Sequence, residues 1–149
     1  MSRFTTGVTV VTTHAEGQDW GMTCNSFNTV SLDPALVLWS IRRASFSHAA
    51  FLASGRYLVN VLAAHQKDLA LRFAMGSQAE RFEGLTPLRE QGLPRVPEAL
   101  AWFVCRTVQV VEAGDHDILI GSVEDFGYGS GHGLAYAQRN FGVLAAYDD

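Results

Sequence analysis

The chain has 149 residues, 48% of them hydrophobic and 17% charged, with a formal net charge of −4. This size and balance fit one globular domain spanning residues 1–149 and exclude a disordered chain. No basic cluster exceeds the pair Arg42-Arg43, and no apolar run nears the ~20 residues that cross a bilayer, so nucleic acid and membrane are excluded as main partners.

In chain order, "GVTVVTT" (Gly7–Thr13) is rich in β-branched residues and predicts a strand. "HAEGQD" is a turn. "WGMTCNSF" and "NTVSLDP" form one extended segment, stopped by Asp33-Pro34. "ALVLWSI" (Ala35–Ile41) is almost continuously apolar, which predicts a strand covered on both faces. "SFSHAAFLASG" reads as a short helix with Ser45 as N-cap and Gly55 as its stop. "RYLVNVL" is a further strand, and "HQKDLALRFAMG" places Leu69 and Phe73 at helical spacing. Ser77 to Pro97 reads as a long loop. "ALAWFVCRTVQVVEAGD" and "DILIGSVEDFGYG" are two long strands with a hairpin at Ala113–His116, followed by the flexible turn "GSGHG" and a short last segment. The order is strand-heavy with two inserted helices. It predicts a mainly β (α+β) fold: a closed antiparallel barrel with helices at its ends.

Three stretches carry polar groups suited to a ligand. Thr23, Cys24, Asn25 and Ser26 put four small side chains in a row along a strand. Such a row serves either close packing or the close approach of a planar ligand with a polar edge. "SIRRASFSH" (Ser40–His48) joins a strand to a helix start. There Arg42 or Arg43 with Ser45 and Ser47 suits a phosphate, or serves only as ordinary capping with surface arginines. "AGDHD" sets His116 in a turn between Asp115 and Asp117, either merely exposed or held as a donor toward a substrate. No His/Cys/carboxylate grouping has metal-ligand spacing, so no metal site is expected. There is no G-x-S-x-G, G-x-G-x-x-G or Walker loop. Two cysteines, Cys24 and Cys105, make no disulfide framework, and the opening residues lack the pattern of a secretory leader. A cytoplasmic setting is expected.

Taken together, "FTTGVTVVTT", "GMTCNSFNTVSLDPALVLWSI", "SGRYLVNVL", "HQKDLALRFA", "RFEGL", "GLPRVPEALAWFVC" and "EAGDHDILIGSV" resemble, in that order, the flavin reductase domain family of FMN-binding split barrels. The resemblance runs from Phe4 to about Val123. It implies a split-barrel homodimer with flavin near the subunit interface. The flavin ring would lie along Thr23, Cys24, Asn25 and Ser26, and the phosphate end by Ser40, Arg42, Ser45, Ser47 and His48. Arg72 and Phe73 would line the flavin site, and His116 would orient the nicotinamide. The implied activity is hydride transfer from NADH (or NADPH) to FMN (or FAD), with reduced flavin passed to a partner flavin-dependent monooxygenase. Other readings are reduction of a corrinoid or ferric complex through bound flavin, or a flavin-binding module without catalysis. The chain departs from the family pattern at His48, where threonine is common, at Cys24, where alanine is frequent, and near the C-terminus. There Tyr136 and Phe141 keep aromatic positions, but Asn140 replaces an arginine and Arg139 comes one place early.

Overall fold

In the computed structural model, which describes residues 2–148, the chain begins with β1 (Thr6–Gly7), β2 (Thr9–Ala15), β3 (Gln18–Cys24), β4 (Asn28–Leu32) and β5 (Ala35–Arg42). Helix α1 (His48–Ser54), β6 (Arg56–Val61), α2 (Lys67–Ala74), α3 (Gln78–Phe82), β7 (Leu88–Glu90) and β8 (Leu93–Arg95) follow. The long strands β9 (Ala101–Ala113) and β10 (His116–Tyr128) come next, then β11 (Ala135–Ala137) and β12 (Asn140–Gly142).

Seven strands make one antiparallel sheet in the order β3-β2-β6-β9-β10-β5-β4. Its edges, β3 and β4, are consecutive in the chain. The sheet curls around one interior that holds Val11, Cys24, Val37, Trp39, Ile41, Phe51, Tyr57, Val59, Cys105 and Leu119. Trp39 packs edge-on against both Phe51 and Tyr57, at centroid distances of 4.8 and 5.7 Å. A second cluster lies outside the curl, where Ala70 and Phe73 of α2 cover Val8 and Val10 with Leu62, Val96 and Leu134. Strand β2 is therefore buried on both faces. Its Thr12 and Thr13 hydroxyls donate to the carbonyls of Pro94 (2.5 Å) and Arg56 (2.7 Å), so no polar group is stranded there.

Five expectations need correction. The barrel is not closed: no ladder joins β3 to β4. The expected single extended segment breaks at residues 25–27, and the Ser26 side chain takes the place of a strand partner, its Oγ accepting from Ser40 N–H at 2.9 Å. Ser45 is not the N-cap of α1. The helix starts at His48 with Ser47 at the cap position, and Ser45 instead closes the preceding turn, its N–H donating to Arg42 O at 3.0 Å. Strand β5 alternates, with Val37, Trp39 and Ile41 buried and Leu36, Leu38 and Ser40 only half-buried, because no helix packs on its outer face. Residues 77–97 are not a loop. They form α3, whose Ser77 cap accepts from Glu80 N–H, and the β7–β8 hairpin. The hairpin at Ala113–His116 is as expected, with Gly114 supplying φ +64 in a two-residue turn.

Candidate functional site

Strand β3 is a sheet edge, so one row of its backbone groups has no strand partner. At Gly21 side chains cap that row. Gly21 N–H donates to Gln78 Oε1 at 3.0 Å, and Arg81 Nη1 donates to Gly21 O at 2.8 Å. Alternation along the strand sends the Thr23 amide and carbonyl to this same edge. The Thr23 hydroxyl donates to Ala70 O at 2.5 Å and holds α2 beside the strand. Glycine at position 21 is required by space, because a Cβ there would stand 2.7 Å from Phe73 Cε1.

Three clefts follow this edge. The first, about 320 Å³, is lined by Met22, Thr23, Arg42, Ser45, Phe73 and Arg81 among others. The second, about 290 Å³, shares Thr23 and adds Asn25, Ala74, Tyr136 and Arg139. The third, about 780 Å³, shares Asn25 and adds Ser26, Ser40, His116 and Ile118. The shared residues join them into one groove, in which Arg42 and His116 stand side by side as paired residues of β5 and β10 and Arg81 comes from α3. Neither Arg42 nor Arg81 forms an ion pair among the described residues. Burial pulls the Arg81 pKa below the usual arginine value, the opposite of what a resident carboxylate would do.

The expected site residues divide. Thr23, Asn25, Ser26, Ser40, Arg42, Ser45, Phe73 and His116 line the groove. Phe73 is fully buried and forms its floor, edge-on to Phe82 at 5.0 Å. Cys24 instead points into the interior among Val11 and Trp39, with Sγ 3.0 Å from Ser26 Oγ. Ser47 is wholly buried, and its hydroxyl is taken up by Ser45 and Met22 Sδ. Arg72 donates to the carbonyls of Arg81 and Glu83 and so braces the C-terminal end of α3. His48 Nε2 sits 2.7 Å from Asp117 Oδ2, and Arg43 Nε donates to Asp117 Oδ1 at 3.1 Å. The His48 hydrogen bond, with Arg43 beside it, holds the Asp117 carboxyl below the usual carboxylate range. Asp117 therefore does not flank His116 as expected. Asp115 does, its Oδ1 2.7 Å from His116 Nδ1, which leaves Nε2 as the free ring nitrogen.

The polar groove residues Gln78, Arg81 and Arg139 were not among the expected ones. Gln78 and Arg81 stand on or near α3, which the capping pattern Ser77-x-x-Glu80 marks as a helix start. Arg139 is brought to the second cleft by a turn in which both Gln138 (φ 51) and Arg139 (φ 64) adopt left-handed backbone. Nothing in the residue types of that turn signals such a conformation.

A flavin reductase like domain profile matches residues 1–145, and the chain belongs to that family. Among its relatives, it is 47% identical over 135 residues to the reductase component of the flavin-dependent trigonelline monooxygenase of Acinetobacter baylyi, covering 89% of this chain but 43% of that one. It is 41% identical over 143 residues to the FMN reductase (NADH) SmoA of Agrobacterium fabrum, covering 95% of this chain and 81% of SmoA. The solved NADH:FAD oxidoreductase SgcE6 of Streptomyces globisporus, in complex with NAD and FAD fragments, superposes with a TM-score of 0.92 at 33% identity, covering 99% of this chain and 90% of that one. The chain thus spans less than half the length of the first of these relatives.

Proposed function

We propose that this chain is an NAD(P)H-dependent flavin reductase that supplies reduced FMN or FAD to a partner monooxygenase. The observation that carries the reading is the groove itself. It has two arginines, Arg42 and Arg81, that form no ion pair among the described residues, an unpaired strand edge at Thr23, and a histidine, His116, beside Arg42. These groups fit a flavin nucleotide. Arg42, Arg81 and the Ser45 hydroxyl suit its phosphate, because guanidinium groups give charge-assisted hydrogen bonds to phosphate oxygens. The Thr23 backbone edge and the exposed Asn25 amide suit the polar rim of its ring. When bound, the flavin supplies the redox chemistry by accepting hydride from the nicotinamide. The chain's part is to hold the two rings face to face, which turns the transfer into a positioned step. His116, with Nδ1 tied to Asp115, is a positioning residue for the nicotinamide, and Arg139 is a second contact on that side.

The third cleft opens on the outer face of β5 and β10, where Leu36, Leu38, Ile118 and Ile120 lie half-buried. A second copy of the chain on this face would complete that cleft, and the reading includes a homodimer with flavin at its interface. A cytoplasmic setting is supported by Cys24 and Cys105, both free and buried, with burial pushing the Cys105 thiol up to about 12. Among the described residues no helix is long and apolar enough to cross a membrane.

The test is anaerobic. Purified protein is loaded with FMN or FAD and NADH is added, and the flavin absorbance is expected to bleach rapidly. In air, NADH consumption is expected to scale with added free flavin. A flavin that stays yellow with both NADH and NADPH would leave only a binding module.

A further inference from the structure

The segment from Arg42 to His48 leaves the end of β5, lines the first cleft with Arg42, Ala44, Ser45 and Phe46, and enters α1. Its internal hydrogen bonds are local. Ser45 N–H donates to Arg42 O at 3.0 Å, and His48 N–H donates to Ser45 O at 3.1 Å. These bonds fold the segment without tying it to the sheet. One carboxylate ties it at both ends. Asp117 Oδ1 accepts from Arg43 Nε at 3.1 Å, and Oδ2 accepts from His48 Nε2 at 2.7 Å. Arg43 is tied again, by its backbone N–H to Asp115 O at 3.0 Å and by Nη2 to His116 O at 3.3 Å. At the other end the Ser47 hydroxyl reaches only Ser45 Oγ, within the segment, and the weakly accepting Met22 Sδ at 3.6 Å. His48 is therefore the strong polar tie there. Asp117 is 7% exposed and pairs with Ile41 across β5, which sets it beneath the segment. Neither Asp117 nor His48 lines the cleft.

By charge alone, Asp117 is the wrong group to find beside a phosphate site. The His48 and Arg43 hydrogen bonds hold its carboxyl below the ordinary carboxylate range, so it is an anion at neutral pH. An anion there opposes a phosphate. It also occupies the Arg43 guanidinium, which could otherwise join Arg42 in the cleft. Its contribution is geometric. A segment fastened at both ends has less freedom left for a ligand to freeze out. On the reading of the Arg42–Arg81 cleft as the phosphate end of the flavin, we infer that Asp117 and His48 are positioning residues for that phosphate. Neither touches it; together they hold Ser45 and Arg42 where it binds. Arg43 belongs to this fastening, and of the two adjacent arginines only Arg42 faces the ligand.

The experiment titrates flavin-free protein near neutral pH with FMN and with riboflavin, which has no phosphate. Wild type is expected to bind FMN more tightly than riboflavin. Asp117→Ala removes a negative charge and releases Arg43, so electrostatics alone would tighten FMN. Loss of positioning is expected to loosen FMN about tenfold instead and to leave riboflavin nearly unchanged. His48→Ala keeps the carboxylate and is expected to loosen FMN in the same direction. His48→Gln, whose side-chain NH₂ donates at similar reach, is expected to restore it. Circular dichroism checks that each variant is folded, and the two His48 variants decide the matter if Asp117→Ala does not fold. FMN affinity unchanged or tightened in the folded variants overturns the inference and leaves the network a stabiliser of the fold alone. Equal losses for FMN and riboflavin overturn it as well. A wild type that binds the two ligands equally takes the phosphate out of this cleft, which overturns the inference and leaves the reductase reading standing. Failure of the wild type to bind either flavin defeats the reductase reading itself.

Discussion

At the scale of single residues, the groove is defined by which side chains are already occupied. Ser47, Arg72 and His48 have the right chemistry for a phosphate, but each is committed to a partner within the protein. Arg42 and Arg81 are not committed to any carboxylate among the described residues, and they carry the charge of the site. Hydrogen bonds to charged groups contribute about 1.5–3 kcal/mol. Arg81→Ala is therefore expected to weaken FMN roughly tenfold or more and to leave riboflavin, which has no phosphate, nearly unaffected; a fluorescence titration of both ligands checks this. An equal loss for riboflavin would mean that Arg81 acts only by tying Gly21 and Met75 in place. Much of this division was beyond the reach of the sequence. The row Thr23–Ser26 announced a polar strip, but the strand's period of two decides that Thr23 and Cys24 face opposite ways. Only the register of β3 against β2 shows that Cys24 is the one turned into the interior.

At the scale of elements, Asp117 clamps two pieces of chain together. It receives Arg43 from the turn before α1 and His48 from the first residue of that helix, and so fixes both to the start of β10 beside His116. Its folded-state carboxyl titrates below the ordinary aspartate value of 3.8, so the clamp stabilises the fold fully above that pH. The contribution is lost as pH falls through the lower, folded value. Thermal unfolding followed from pH 6 to pH 3 is expected to show a smaller fall in Tm for Asp117→Asn than for wild type. Part of the fall will persist, because burial pushes the Asp19 carboxyl up but hydrogen bonds from Arg89 and His14 outweigh it and leave it low as well. The strands and the hairpin at Ala113–His116 were legible because β-branched runs and a Gly-Asp turn act locally. Helix α3 was missed because a five-residue helix has too few turns to show a period, and its stability comes from Phe82 packing on Phe73. The left-handed turn at Gln138 and Arg139 was missed for a similar reason. Neither residue prefers that backbone, at a typical cost of 1–2 kcal/mol each, and it is held by the pairing of β11 with β12, by Gln138 N–H donating to Ser2 O and by Asn140 Nδ2 donating to Gln138 O.

At the scale of the whole molecule, the apolar run Ala35–Ile41 carries information that one copy of the chain does not use. It reads as a strand covered on both sides, yet only the inner side is covered here. The outer row continues across the sheet in register, from Leu38 to Ile120 and from Ser40 to Ile118. A half-bare apolar strip of this kind is what a subunit contact requires. Ile120→Asp is expected to convert a dimer to monomer in analytical ultracentrifugation, with retained strand content by circular dichroism and loss of flavin turnover. A wild-type protein that sediments as a monomer would remove the homodimer from the proposal.

The open seam between β3 and β4 has a consequence for the life of the protein before it meets a ligand. An unpaired strand edge is a template onto which another chain can add a strand. Helices α2 and α3 cover this edge only as far as Thr23, and beyond it lies the groove. A ligand seated there occupies the very hydrogen-bonding positions that an intruding strand would use. On the proposed reading, loading with flavin would protect the molecule from its own copies as well as equip it for chemistry, and the cofactor-free form is expected to aggregate more readily.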